Sequence, residues 1–194
     1  MRSSWLGVIL TLAALTSAPS AARADDAATS RTATQTESLA RLGRLRVGDP
    51  APFFAGPDVR APERAINRTK LLAAKRPFVL VFWATWCSPC RVGLAELRAA
   101  GERLKASGLE VVLVNYREPQ DDVAAFLDAE RLDGFSALLD KFGAVAKEFE
   151  VAPRETASLP KTFVVQVDGR IAAIFGAEGP DYVDRVIAAA GRAP

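Results

Sequence analysis

One junction limits what this chain can fold into. The run Phe78-Val79-Leu80-Val81-Phe82-Trp83 is uninterruptedly apolar and rich in β-branched and aromatic residues, and it passes through Ala84-Thr85-Trp86 into Cys87-Ser88-Pro89-Cys90. A short apolar run of this kind reads as a strand buried on both faces, which calls for a sheet covered by helices on both sides. Beyond the second cysteine, Leu94, Leu97 and Leu104 recur on one helical face until Gly108 stops the pattern. The chain is therefore expected to feed a buried strand into a helix, with two cysteines at the joint.

That joint suits dithiol–disulfide chemistry. Residues three apart in the first turn of a helix lie on the same edge, so the two thiols can close and reopen with little backbone motion. The closed loop is too short to constrain the unfolded chain much, which makes the bridge a poor structural staple. Cys87 is placed at the N-terminal side of the helix, where free N–H groups and the helix dipole favour an anion, so its thiol is expected to ionise near neutral pH. Pro89 suits a first helical turn because it has no N–H to lose. Cys90 is expected to be the more buried, resolving thiol. The 194 residues hold two cysteines and no histidine. A four-ligand Cys/His zinc site within one chain is excluded on that count, and a haem attachment CxxCH is excluded by Arg91.

Around this centre the chain reads as one domain. Met1 to Ala24 has the form of a secretory signal: Arg2, an apolar stretch from Trp5 to Leu15, and Ala22-Arg23-Ala24 before an expected cleavage. The apolar stretch is shorter than the roughly 20 residues of a membrane span, so an uncleaved, membrane-anchored form is the rival reading. Residues 25–46, rich in Thr, Ser, Ala and Arg, are expected to be a flexible lead-in, and the domain is expected over 47–194. Phe54 to Lys75 is poorly patterned and is assigned an irregular hairpin. Leu109 to Asn115 reads as a parallel strand, Pro119 as the start of a helix carrying Val123, Phe126 and Leu127, and Phe135 to Leu139 as a short strand. Asp121, Asp122 and Asp128 read as a solvated face. Phe142, Val145 and Phe149 suggest a short helix. Phe163 to Val167 and Arg170 to Phe175 read as a hairpin about Asp168-Gly169, and Pro180 as the start of a last helix carrying Tyr182, Val183, Val186, Ile187 and Ala190. The alternation predicts an α/β fold: a central mixed sheet flanked by helices, with the CxxC at the carboxyl end of a central strand. The net charge of +2 gives no argument for nucleic acid as a partner.

The string Phe82 to Arg91, FWATWCSPCR, resembles the thioredoxin superfamily and, within it, the TlpA/ResA-like extracytoplasmic thiol–disulfide oxidoreductases. Val47 to Phe53 is similar to the entry segment shared by that branch and the peroxiredoxins, and Pro119 to Asp140 looks like the branch's helix–strand insertion. The resemblance implies a thioredoxin-like fold and an exported enzyme that reduces protein disulfides, with Cys87 as nucleophile and Cys90 as resolving thiol. It implies no cofactor beyond the redox-active Cys87–Cys90 disulfide and no metal. Pro160 matches the family's cis-proline, and Leu159 before it the residue whose backbone meets the substrate. Trp86 is expected to add an exposed contact patch, while Trp83 is expected in the core. Ser88 and Pro89 fill the motif and tune its potential. By the same resemblance the partners are protein thiols and disulfides, among them cytochrome c precursors or copper-site thiols of oxidase assembly. The electrons come from a membrane donor of the DsbD/CcdA type. The signal-like start and the Ala- and Arg-rich composition suggest a bacterial exported protein, so the expected compartment is the periplasm.

The chain also departs from its models. Many ResA-like proteins carry a Glu three residues after the second cysteine, where this chain has Gly93, and their following Pro is replaced by Ala95. The buried Asp of ordinary thioredoxins is replaced by Val81. With neither carboxylate present, both thiols are expected to ionise more easily and proton transfer at Cys90 to be slower. Rival functions are a disulfide oxidant, a peroxiredoxin and a copper-binding or non-enzymatic assembly factor of the same fold. The peroxiredoxin reading is weakened by Ala84, where that family needs Thr. The copper reading is weakened by CxxC in place of CxxxC and by the lack of histidine.

Overall fold

A computed structural model describes residues 45–152, 156–176, 179 and 181–191. The expected signal over 1–24 and nearly all of the lead-in over 25–46 lie outside the described residues, as does Pro180. A five-stranded sheet of order β5-β4-β3-β6-β7 carries the fold. Its centre is β3 (Phe78–Trp83), buried at every position. It pairs in parallel with β4 (Glu110–Tyr116) on one side and antiparallel with β6 (Lys161–Val165) on the other. β5 (Ser136–Asp140) extends the parallel side and β7 (Ile171–Phe175) the antiparallel side.

Alternation along β3 divides the core in two. Val79, Val81 and Trp83 face one way, with Leu113 of β4, and pack against α2 (Ser88–Ala99), α3 (Gly101–Ala106), α4 (Gln120–Ala129) and α6 (Tyr182–Ala190). Phe78, Leu80 and Phe82 face the other way, into an aromatic cluster in which the ring of Phe149 lies 5.4 Å from Phe82, 5.0 Å from Phe163 and 5.8 Å from Phe54. That face is closed by α5 (Ala144–Glu148). The burial on both faces is what the unbroken apolar run requires. The mixed sheet flanked by helices, with α4 and β5 as the added helix–strand unit, is the thioredoxin-like architecture that the sequence leads one to expect.

Several elements differ from expectation. The poorly patterned region does hold a hairpin, β1 (Ala55–Pro57) and β2 (Ala65–Asn67). It also holds an unforeseen helix, α1 (Arg68–Ala73), whose cap is Asn67, accepting from the Lys70 N–H at 2.9 Å. The helix after the CxxC is bent at Ala100 and Gly101. The Ala100 N–H still reaches Glu96 O and the Leu104 N–H still reaches Ala100 O, so the bend keeps Leu104 on the buried face. Pro119 caps α4 in an extended conformation and does not sit within it. Phe142 is not a core residue: it is 80% exposed, with the Lys141 ammonium over its ring, because Gly143 at φ 73° breaks the turn before α5 begins. β6 stops at Val165, and Val167 lies exposed in the turn. Asp140 caps α5 from the end of β5, accepting from the Val145 and Ala146 N–H groups at 3.2 and 2.8 Å. Burial pushes its carboxyl above the ordinary value of 3.8, and the backbone N–H groups of Ala146, Val145, Ala144 and Gly143 pull it partly back.

The segment from Gly48 to Val59 binds both margins of the sheet. Beside β7, the Gly48 N–H donates to Ile171 O at 2.8 Å and the Ile171 N–H to Asp49 O at 2.9 Å. Beside β5, the Val59 N–H donates to Ala137 O at 2.8 Å, and Asp58 bridges Leu138.

Candidate active site

The site grows out of the carboxyl end of β3. The chain leaves Trp83 and folds into a four-residue turn, closed by the Cys87 N–H donating to Ala84 O at 3.1 Å. Thr85 and Trp86 are the central residues of that turn. Trp86 stands 64% exposed, whereas Trp83 is fully buried with its ring 5.1 Å from Phe126. The two tryptophans thus divide as their positions in the pattern predict.

Cys87 is the N-cap of α2. Its Sγ accepts from the Cys90 N–H at 3.3 Å, a bond that an anionic sulfur would strengthen. The two sulfurs are joined: S–S is 2.03 Å, and the Cα atoms stand 5.3 Å apart across three residues. Cys90 is 1% exposed and Cys87 5%, so the order of burial is as expected but the margin is narrow. Ser88 and Pro89, the residues enclosed by the bridge, are both exposed.

The bond between Leu159 and Pro160 is cis. β6 begins at Lys161, opposite Phe82, so Pro160 falls at the end of β3 from which the chain turns into the CxxC. Pro160 is buried and Leu159 half-buried, packed against both halves of the core. Cys87, Cys90, Trp86, Leu159 and Pro160 therefore all lie at one end of the sheet. Gly93 and Val81, where relatives carry carboxylates, are both buried, Val81 within the apolar core.

A carboxylate is nevertheless present at this end, from a residue that the sequence reading passed over. Glu118, in the loop after β4, accepts from the Thr85 N–H at 2.8 Å, from the Thr85 hydroxyl, and from Asn115 Nδ2 at 2.6 Å. The available signal was Asn115, a polar residue near the end of a mostly apolar strand, with Glu118 three residues on, at the end of a parallel sheet where sites collect. On the flank of the site, α2 is joined to α4. The Arg91 guanidinium lies over the Phe126 ring and 3.6 Å from Glu130, and Arg98 donates to Glu130 O at 2.8 Å. Among the described residues no group of three or more His, Cys, Asp or Glu side chains could hold a metal ion. None of the described helices is long and apolar enough to cross a membrane.

Comparison with known proteins gives the same picture. The model of the AhpC/TSA family matches residues 47–174. The thiol-disulfide oxidoreductase ResA of Geobacillus kaustophilus is 30% identical over 127 residues, 66% of this chain and 67% of that protein. The thiol:disulfide interchange protein DsbE of Yersinia pestis is 28% identical over 135 residues, 70% of this chain and 66% of that protein. A Chlorobium tepidum crystal structure assigned as a DsbE thiol:disulfide interchange protein superimposes with a TM-score of 0.63 at 27% identity, covering 76% of this chain and 99% of that one.

Proposed function

We propose that this chain, which belongs to the AhpC/TSA family and is a thiol–disulfide oxidoreductase, acts outside the cytoplasm as a reductant of protein disulfides. The observation that carries the reading is a disulfide closed across three residues, with Cys87 as the cap of a twelve-residue helix. The positive end of that helix favours the Cys87 thiolate in the reduced protein. The thiolate attacks one sulfur of a substrate disulfide, and the other substrate sulfur leaves as a thiolate and takes up a proton. Cys90, having given up its own proton, then attacks Cys87 Sγ. The second substrate thiol departs, and the Cys87–Cys90 disulfide remains. Two electrons pass from enzyme to substrate; of the two protons the substrate gains, one is given up by Cys90 and the other comes from solvent, and a membrane donor of the DsbD/CcdA type restores the dithiol.

Trp86 and Leu159 supply the docking surface, with Pro160 buried beside Leu159 at its base. Trp86 offers an exposed ring beside the reactive turn, and Leu159 offers backbone groups to an extended substrate strand. The form of residues 1–24 supports export to the periplasm, and the likeness to ResA and DsbE proteins supports a place in the assembly of cytochrome c or of oxidase copper sites. The deciding measurement is the equilibrium reduction potential of the full chain, with Cys87→Ser as control. A value near about −270 mV or lower supports a reductant, and one near about −120 mV makes the protein an oxidant. A protein whose sulfurs do not exchange with a thiol–disulfide buffer is not performing this chemistry.

A further inference from the structure

Glu118 is used by none of the steps above. It holds the turn that presents Cys87. Of its three donors, two belong to Thr85, the first central residue of the Ala84–Cys87 turn, and the third is Asn115 at the end of β4. Asn115 is fully buried, and its Oδ1 has no partner among the described residues. The bond to Glu118 is thus what anchors its amide. The carboxylate joins the end of one central strand to the loop leaving the next, across 33 residues of sequence. Without it, the Thr85 N–H and hydroxyl lose the carboxylate that binds them to the end of β4.

We propose that Glu118 is a positioning residue for the reactive dithiol: it ties Thr85 to the end of β4, so fixing where Cys87 is presented, and it keeps a negative charge beside the turn that leads into the sulfurs. The proposal rests on the reading of Cys87 as nucleophile. It also supplies the site with a carboxylate from a different element than the one used by relatives with Glu in place of Gly93. The geometry separates the two parts of the role. A glutamine at 118 can keep its oxygen at the Oε2 position, accepting from the Thr85 N–H and from Asn115, while its amide donates to the Thr85 hydroxyl. Glu118→Gln therefore preserves the tie and removes the charge, and Glu118→Ala removes both.

The test uses the full chain in its reduced form, with two readouts for wild type, Glu118→Gln and Glu118→Ala. One is the rate of reduction of a protein disulfide, scaled to the folded fraction from urea denaturation. The other is the pH midpoint of Cys87 alkylation by iodoacetamide. Glu118→Ala is expected to lose about ten-fold in rate, as a displaced nucleophile does. Glu118→Gln is expected to recover most of that rate, yet its alkylation midpoint moves to lower pH because the opposing charge is gone. A wild-type midpoint in Glu118→Gln, or a wild-type rate in folded Glu118→Ala, overturns the proposal and leaves Glu118 a structural tie. If Glu118→Ala does not fold, the Glu118→Gln midpoint alone decides. If the wild-type protein reduces no disulfide, the functional reading falls, while the midpoint comparison still judges Glu118.

Discussion

Replacement of Trp86 by alanine separates docking from chemistry. A tryptophan can bury up to about 250 Å², and this one is 64% exposed, which leaves about 160 Å² for a partner to cover. At about 25 cal/mol per Å² the ceiling is about 4 kcal/mol. A partner that covers half of the ring realises about 2 kcal/mol, or about 30-fold in kcat/KM. The folded state has little to lose, because substitutions at exposed positions change stability by about 0.5 kcal/mol. The assay compares reduction of a folded protein disulfide with reduction of glutathione disulfide, which is too small to cover the ring. Trp86→Ala is expected to lose about 30-fold on the protein substrate and little on the small one, with an unchanged urea midpoint. Equal losses on both substrates, or a loss of stability as large as the loss of turnover, would refute the docking role and make Trp86 a support for the turn.

Other outcomes follow from other parts of the molecule. Gly93→Glu restores the carboxylate of ResA-like relatives at a buried position one helical turn from Cys90. A like charge at that range should move thiol alkylation about one pH unit or more to higher pH, read by an iodoacetamide titration. Gly56→Ala places a Cβ 2.8 Å from Leu138 Cδ2 and 3.2 Å from Leu139 O, so it should cost about 1–3 kcal/mol, seen as a lower urea midpoint at constant slope. Asp140 titrates above its unfolded value of 3.8, so the folded protein holds the extra proton in the window between the two values. Its stability there falls as pH rises and is gained as pH falls. Asp140→Asn lacks this dependence, so the stability of wild type relative to the variant should grow on acidification from pH 7, and urea unfolding at pH 7 and pH 4 measures it.

Much of the fold can be read from the residues because its determinants are local. β3 announces itself by six apolar residues without a break, and the β6–β7 hairpin by Asp168-Gly169 between two apolar runs. The Cys87–Cys90 pair and its place at a strand-to-helix joint follow from spacing alone. What escaped was set by contacts between distant residues or by single backbone angles. Phe142 keeps the spacing of a core residue, but it lies in the turn between β5 and α5, ahead of the left-handed Gly143, and its ring is exposed. The bend at Ala100 is invisible because Leu97 and Leu104 are seven apart and share a face on a straight or a bent helix. Helix α1 has six residues and no buried side chain, too little for any periodicity to register. Glu118 is the instructive omission. The absence of a carboxylate at Gly93 and Val81 suggested a site without one, yet the loop after β4 brings Glu118 to Thr85, and its mark in the sequence is slight: a polar Asn115 near the end of a mostly apolar strand.

The stretch from Gly48 to Val59 has a consequence for how the molecule opens. It touches β7 at Ile171 and β5 at Ala137, so the earliest described part of the chain engages elements that emerge long after it. Contacts of such sequence separation carry a large loop-closure cost, which makes this strap a late arrival in folding and an early departure in local unfolding. Because one segment guards both margins, a single release uncovers the unpaired backbone of β5 and β7 together. Edge-to-edge association in this protein is therefore governed by the docking of one short segment, with the sheet itself still intact.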